Sequence, residues 1–249
     1  MIEQILREWP PGYGGIERVA HELAVNWGGF VWSFDVQNLS SVETDPFDVP
    51  YVRHRLACFR PFGRLVFPIP SKRLWSLITS CRPLHGHLPS PGVLFLLLLA
   101  RLINPRRKVS AHWHCFLENE GGLNGLLYSF YQRLALFVVP YLSYVVTTSP
   151  VLASALIDSG CPPQRVFVLP CCLGQEQESQ SLSLPFPDSH PGDPLSVLFI
   201  GRLDSYKRLD LLLEALATIV TPWNLVIVGD GPKRSYFCLL YTSPSPRDS

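Results

Sequence analysis

The 249-residue chain carries 21 Lys and Arg against 20 Asp and Glu, so its net charge of +1 gives no whole-chain field that would draw it onto nucleic acid. Hydrophobic residues make up 47% and charged residues 16%, which excludes a disordered chain and leaves room for one large domain or two ordinary ones. The seven cysteines show no CxxC and no regular spacing, the pattern of reduced thiols in a cytoplasmic protein rather than of a disulfide framework.

Residues 1–9 contain Glu3, Arg7 and Glu8 where a signal peptide needs an apolar core, so no leader is expected. PPGYGG (10–15) is a Gly-rich turn, followed at once by Ile16, Val19, Ala20, Leu23, Ala24 and Trp27 on one helical face. Glu17 falls in that helix's first turn, where the dipole favours an acid. GFVWSFDV (29–36) reads as a strand, KRLWSLI (72–78) as a helix and PLHGHL (83–88) as a short strand entering the turn PSPG. The apolar run 93–100, closed by Arg101, is far short of a membrane span and predicts a buried helix over 93–103. Strand KVSAHWH (108–114), helix 125–139, strand YVVTTS (144–149), helix 150–160 and strand RVFVLP (165–170) continue the alternation. This order predicts an α/β fold with a doubly wound parallel sheet.

Residues 174–194 are polar, rich in Gln, Ser and Pro, and without period, and so read as a linker. The α/β pattern then restarts with strand LSVLFIG, helix KRLDLLLEALATIV and strand NLVIVGDG. The expected domains are 1–173 and an incomplete second one over 195–237. CLLYTSPSPRDS (238–249) has no period, and Cys238–Asp248 resembles the in-frame translation of a transposon-library sequencing adapter; a non-native tail is expected there. A half-built second domain would leave one face of its strands uncovered.

Four places could carry chemistry. Gly14 and Gly15 open a helix whose free N–H groups and dipole suit an anion, though a tight turn alone would also use them. His114 ends a strand where open α/β sheets place their sites, and could act as a base or orient a hydroxyl. His112 shares its face, and His85 and His87 precede a turn; each could equally be a satisfied core histidine, and no third ligand spaced nearby backs a metal pair. Arg202 and Lys207, with Gly201, flank a strand-to-helix junction and could clamp a diphosphate, or be solvated charges. Gly229, Asp230 and Gly231 form another strand-end turn. From Tyr51 to Leu117 there are eleven Lys or Arg and no Asp or Glu, interspersed with aromatics such as Phe59, Phe67 and Trp75. Such a stretch suits an anionic partner, a membrane surface, a phosphorylated acceptor lipid or a nucleic acid, unless its acidic partners lie elsewhere in the fold.

The order of these pieces resembles the retaining, GT4-type glycosyltransferases. PPGYGGIERVAHELA is similar to their N-terminal loop and helix, HGHLPSP to their "HxHxPxP" turn, SAHWHCFLE to the strand with their acceptor-side histidine, and VVTTSPVLASAL to their "TSP" segment. LFIGRLDSYKRLDLLLEAL and LVIVGDGP resemble the opening of their donor domain. The resemblance covers about residues 1–237 and implies a GT-B fold of two Rossmann-like doubly wound domains, the second incomplete. It implies that Gly201, Arg202, Lys207, Gly229, Asp230 and Gly231 bind the donor, that Gly14 and Gly15 approach its phosphates, and that His114 lies beside the transferred sugar. The implied reaction is retaining transfer from a nucleotide-diphospho-sugar to a glycan or lipid-linked acceptor, without metal or other cofactor and without nucleic acid. It implies a cytoplasmic, hexosyltransferase-like enzyme of polysaccharide assembly, peripheral to the membrane. Another GT-B enzyme, such as a nucleotide-sugar epimerase, or a non-catalytic sugar-nucleotide-binding module remain alternatives. Two departures stand out. Pro170-Cys171-Cys172 replaces the family's "PNG"-like turn, and the E-x7-E carboxylates would lie beyond residue 237, so the chain as given is expected not to turn over.

Overall fold

The structure, a computed structural model, describes residues 1–8, 14–35, 49–61, 65–117, 122–171, 174–183, 190 and 192–242. The chain divides into two compact units, Met1–Gln180 and Ser181–Ser249.

In chain order the first unit contains β1 (Glu3–Leu6), α1 (Gly15–Trp27), β2 (Phe30–Phe34), β3 (Val52–Leu56), β4 (Cys58–Phe59), β5 (Phe67–Pro68) and α2 (Lys72–Thr79). It continues with β6 (Leu84–Leu88), α3 (Pro91–Ile103), β7 (Val109–Trp113), α4 (Gly122–Val138), β8 (Tyr144–Thr147), α5 (Pro150–Asp158) and β9 (Val166–Val168). Seven parallel strands form one sheet in the order β3-β2-β1-β6-β7-β8-β9, and β4 and β5 make a separate short antiparallel pair. The chain leaves β1 towards β2 and β3 and later returns to β6 on β1's other side. The topological switch point, where open α/β sheets bind ligands, therefore lies between β1 and β6.

Local chemistry explains the helix starts. Ser71 caps α2 by accepting from the Leu74 amide at 3.2 Å, and Ser149 caps α5 by accepting from Leu152 at 3.3 Å, with Pro150 in its first turn. The main core joins Ile5, Trp32, Phe34, Leu84, Leu97 and Trp113 on one face of the sheet with α2, α3, α4 and α5. A Cβ on Gly86 would come within 2.7 Å of Leu97, so glycine is what lets α3 settle onto β6. The opposite face is covered over β1 and β2 by Ala20 and Ala24 of α1, packed on Leu6 and Val31. No helix among the described residues is long and apolar enough to cross a membrane.

The central strand β1 is where the structure departs most from the sequence reading, which takes residues 1–9 only as a stretch too polar for a leader. All its residues are buried, Glu3 at 2% exposure. Its carboxylate meets Arg107, whose side chain is 0% exposed, at 2.5 Å, and Arg82 at 3.6 Å. Arg107 also donates to the carbonyls of Arg82 (2.6 Å) and Leu77 (2.7 Å), so the guanidinium is saturated on three sides. Burial pushes the Glu3 carboxyl above its ordinary range and draws Arg107 below its own, so desolvation opposes the charged form of both partners. The basic stretch 51–117 is thus not wholly surface: Arg107 spends its charge on an acid supplied from β1.

Two stretches in the chain's second half carry helix that the sequence reading does not give them. The segment read as linker contains α6 (Gln175–Ser183). Its residues are reasonable helix formers, but no apolar face marks them, and its described side chains are exposed. The stretch expected to be irregular from Cys238 is helical as far as Thr242, within α8 (Arg234–Thr242). The second unit otherwise follows the reading: β10 (Leu195–Ile200), α7 (Leu209–Ala217) and β11 (Trp223–Val228), with the two strands parallel. Leu203, Leu209 and Phe237 form its small core, while Leu198 (60%), Ile200 (70%) and Val226 (57%) are exposed on the strands' other face.

The buried ion pair gives a clear stability test. Arg107→Met leaves the buried Glu3 carboxylate with only the more distant Arg82 as a cation and should cost about 3 kcal/mol in urea melts. Arg107→Met with Glu3→Leu should recover most of that loss, because removing both charges also removes their desolvation cost. A double variant as unstable as the single one would show that the pair is needed for more than mutual compensation.

Candidate functional site

The site in the first unit is built on the sheet face that carries α1. Alternation along the strands puts Gln4 of β1, His85 and His87 of β6, and Ser110 and His112 of β7 on that face, in register Gln4↔His85, His85↔Ser110 and His87↔His112. His114 follows β7 and is held by its own amide, which donates to Leu88 O at 3.1 Å. Four imidazoles therefore form a column. His112 and His114 stack at 4.2 Å between centroids and 9° between planes, and His87 stacks on His114 at 5.3 Å. Trp27 of α1 closes edge-on over His85 at 5.5 Å.

The hydrogen bonds run in one direction. His87 Nε2 lies 3.0 Å from Gln4 Oε1; with the amide in this orientation, which leaves Gln4 Nε2 buried without a partner, His87 Nε2 carries the proton and His87 Nδ1 accepts. His87 Nδ1 faces His114 Nε2 at 3.0 Å, so His114 Nε2 donates and its Nδ1 keeps a lone pair. Burial is the main reason that His85 and His114 are both pushed down to about 3 and His112 to about 4; it draws His87 down as well. His114 is consequently neutral near pH 7. It is a poor proton acceptor there, and a good hydrogen-bond acceptor for a hydroxyl.

Of the pair His112 and His114 that spacing suggested for a metal, His112 joins a group of three imidazoles and His114 does not. Ring nitrogens of His85, His87 and His112 lie within 4.8 Å of one another, across two strands rather than along one. His87, however, has both nitrogens committed to Gln4 and His114, and His85 Nδ1 is 2.8 Å from Ser110 Oγ. The ring nitrogens without a hydrogen-bond partner belong to His85 and His112, two ligands where tetrahedral sites use more.

Gly14 and Gly15 lie at the same sheet edge, where α1 starts beyond β1. β7 stands two strands from β1, roughly 10 Å away. Gly14 has φ −99°, and a Cβ on Gly15 would meet nothing within 4 Å, so neither glycine is demanded by backbone conformation. The Glu17 carboxylate stands where a Cβ on Gly14 would be, so an anion entering this helix N-terminus displaces it. The preceding residues 10–13 of the turn and Cys172 of the PCC turn lie outside the described residues.

In the second unit two loops meet. Gly201 N donates to Val228 O (3.0 Å) and Leu203 N to Asp230 O (2.9 Å), binding the loop after β10 to the loop after β11. A Cβ on Gly229, whose φ is 150°, would strike Gly201 O, and one on Gly231 would strike the Leu203 backbone. Close approach of two backbones is enough to require both glycines. Arg202 is 52% exposed and reaches Asp204 at 3.5 Å; the Lys207 ammonium lies over the Tyr206 ring at 5.1 Å. Asp204 accepts from Ser205 N at 2.8 Å and opens the short helical turn that carries Lys207. Both cations thus sit at the carboxyl end of a parallel strand, before α7, as an anion site requires.

A parallel α/β unit with its topological switch point beside β1, followed by a second α/β unit with cations at a strand-to-helix junction, is the arrangement of GT-B glycosyltransferases. The family described as glycosyl transferase 4-like domain matches residues 14–172, and glycosyl transferases group 1 matches 183–246. The chain belongs to the glycosyl transferase 4-like family. Solved structures share the fold. That of Anabaena Alr3699/HepE in complex with UDP-glucose is 17% identical, with a TM-score of 0.63 over 96% of this chain and 64% of that one. The lipopolysaccharide outer core galactosyltransferase WaaB in its apo form is 15% identical, with a TM-score of 0.60 over 97% and 64%. The catalytic domain of starch synthase IV from Arabidopsis thaliana, bound to ADP and acarbose, is 13% identical, with a TM-score of 0.54 over 96% and 71%. This chain thus spans 64% of the length of the first two. No curated protein matches it.

Gln4 is the site residue that the sequence reading leaves out, and His87 is one that it names without a role. His87 carried a signal, its place two residues after His85 in a strand; Gln4 carried none, because β1 was not recognised. The buried imidazoles predict acid sensitivity. Unfolded histidines titrate near 6.5 and these titrate well below it, so between those values the unfolded state binds more protons and stability falls as pH falls. The melting temperature should drop steeply from pH 6.5 towards pH 4. A His85→Gln, His112→Gln variant should show a shallower drop, and identical slopes in both proteins would refute this origin.

Proposed function

We propose that the chain is the acceptor-side domain and the opening of the donor domain of a retaining glycosyltransferase that uses a nucleotide-diphospho-sugar. The observation that supports this best is the pair of bound loops at 201–207 and 229–231, which present Arg202 and Lys207 at the carboxyl end of parallel strands in a chain of this family. In this reading the two cations neutralise the leaving diphosphate, and no metal is required. Gly201, Gly229, Asp230 and Gly231 shape the loop around it. Gly14 and Gly15 approach the phosphates through the helix N-terminus, and neutral His114 orients a sugar hydroxyl through its Nδ1 lone pair. The acceptor is a glycan or a lipid-linked sugar in polysaccharide assembly, reached by a cytoplasmic enzyme at an anionic membrane surface. The binding of UDP-glucose in the Alr3699/HepE structure makes UDP-glucose the first donor to test.

Binding of UDP and of ADP, followed by isothermal titration with and without EDTA, tests the donor part. At least one diphosphate should bind, unaffected by EDTA. Arg202→Ala and Lys207→Ala should each weaken it about tenfold, the loss of one charge-assisted contact. Equal affinity in the double variant would remove the donor role from this loop.

A further inference from the structure

We infer that the outer face of α4, with the cationic cleft at its C-terminal end, is a docking surface for an anionic lipid bilayer. This deepens the membrane part of the reading above and does not depend on the transfer chemistry. It also replaces the broad 51–117 stretch with a definite surface.

α4 buries Tyr131, Ala135 and Val138 against the main core. Its outward stripe should then be polar, and it is not. Leu126 (70%), Phe130 (70%), Leu134 (44%) and Phe137 (67%) are exposed at helical spacing, and Tyr141 (62%) extends the line through the short helical turn after α4. The stripe runs about 22 Å, at 1.5 Å per residue. Its one charged residue is Arg133, also outward. Exposed apolar residues are ordinary singly, but a continuous line of aromatic and leucine side chains on one helix marks a binding surface.

The charges identify the partner. Phe137 contacts Tyr141 at 5.7 Å between centroids, and Arg165 donates to the carbonyls on either side of Tyr141, Pro140 at 3.2 Å and Leu142 at 3.4 Å. Arg165 lines a cleft of about 440 Å³ together with Arg101, Arg106 and Lys108, and no acid lines it. The last turn of α3, which carries Arg101, adds Leu102 at 67% exposure beside it. Between residues 91 and 157 the sequence has two acids, Glu118 and Glu120, which precede α4 and so fall at the sequence end away from the cleft. An apolar stripe that ends in a cluster of one charge sign suits acyl chains beneath anionic headgroups, where each cation adds attraction and each aromatic adds buried area. The cleft lies at the amino ends of β7, β8 and β9, the sheet edge opposite His114, so docking there leaves the candidate site unobstructed.

Flotation of the full chain with phosphatidylglycerol–phosphatidylcholine vesicles tests this, with pure phosphatidylcholine as the comparison. The chain should float with the anionic vesicles, less so at high salt, and not with the neutral ones. Phe130→Ser with Phe137→Ser, and separately Arg106→Glu with Lys108→Glu, should each weaken partition at least about tenfold. All four side chains are exposed, so circular dichroism should be unchanged, and UDP titration of these variants should match that of the parent. No flotation, or flotation indifferent to both variants, overturns the proposal. So does a concentration-dependent dimer that the Phe pair abolishes in the absence of vesicle binding, which would make the stripe a contact between copies. Failure of the donor reading would appear in the UDP titration and leave the flotation result standing.

Discussion

The ion pair between Glu3 and Arg107 constrains the register of the central strand. It is buried, charged and far apart in sequence, and its cost is tolerable only when β1 lies in one register beside β6, with Arg107 saturated by Leu77 and Arg82 carbonyls. A strand's side chains alternate, so fixing Glu3 towards α2 fixes Gln4 towards the opposite face. There Gln4 Oε1 holds the Nε2 proton of His87, and His87 in turn holds His114. The protonation pattern of an imidazole at the sheet edge is thus tied to a charge pair on the sheet's other side by the geometry of one four-residue strand.

The imidazole column has a cost and a use. Four neutral rings are removed from water, and His112 has neither nitrogen hydrogen-bonded among the described residues. An apolar strand face would be more stable and less sensitive to acid. What the column supplies is a neutral group at the sheet edge, better suited to hydrogen-bonding than to proton transfer near pH 7.

Much of the fold was legible because apolar periodicity carried it: α1, α3, β7, α5 and α7 all show an apolar face or a buried run with turn residues at the ends. β1 was not legible, since Glu3 and Gln4 look solvated until Arg107 and His87 are seen beside them. α6 was missed for a related reason: a helix that is polar on every described side leaves no period. Of the candidate site, His114 and the cations were visible at strand ends. The link from Gln4 through His87 was not, because it joins residues 4, 87 and 114 through sheet register, which depends on strand order.

The glycines of the site carry unequal weight. Gly229 and Gly231 are required by the packing of their loop on the loop 201–203, and any domain built this way would need them whether or not it bound a nucleotide. They identify the fold more than the chemistry. Gly15, with open space where a Cβ would stand, and Arg202, half exposed beside the same loop packing, are not explained by the fold in that way. Arg208 belongs with them: it sits at φ 50° and ψ 41°, a left-handed conformation that costs a non-glycine residue about 1 kcal/mol, to turn the chain from the short helix bearing Lys207 into α7. The small core of Leu203, Leu209 and Phe237 does not account for the exposed side chains of Arg202 and Lys207.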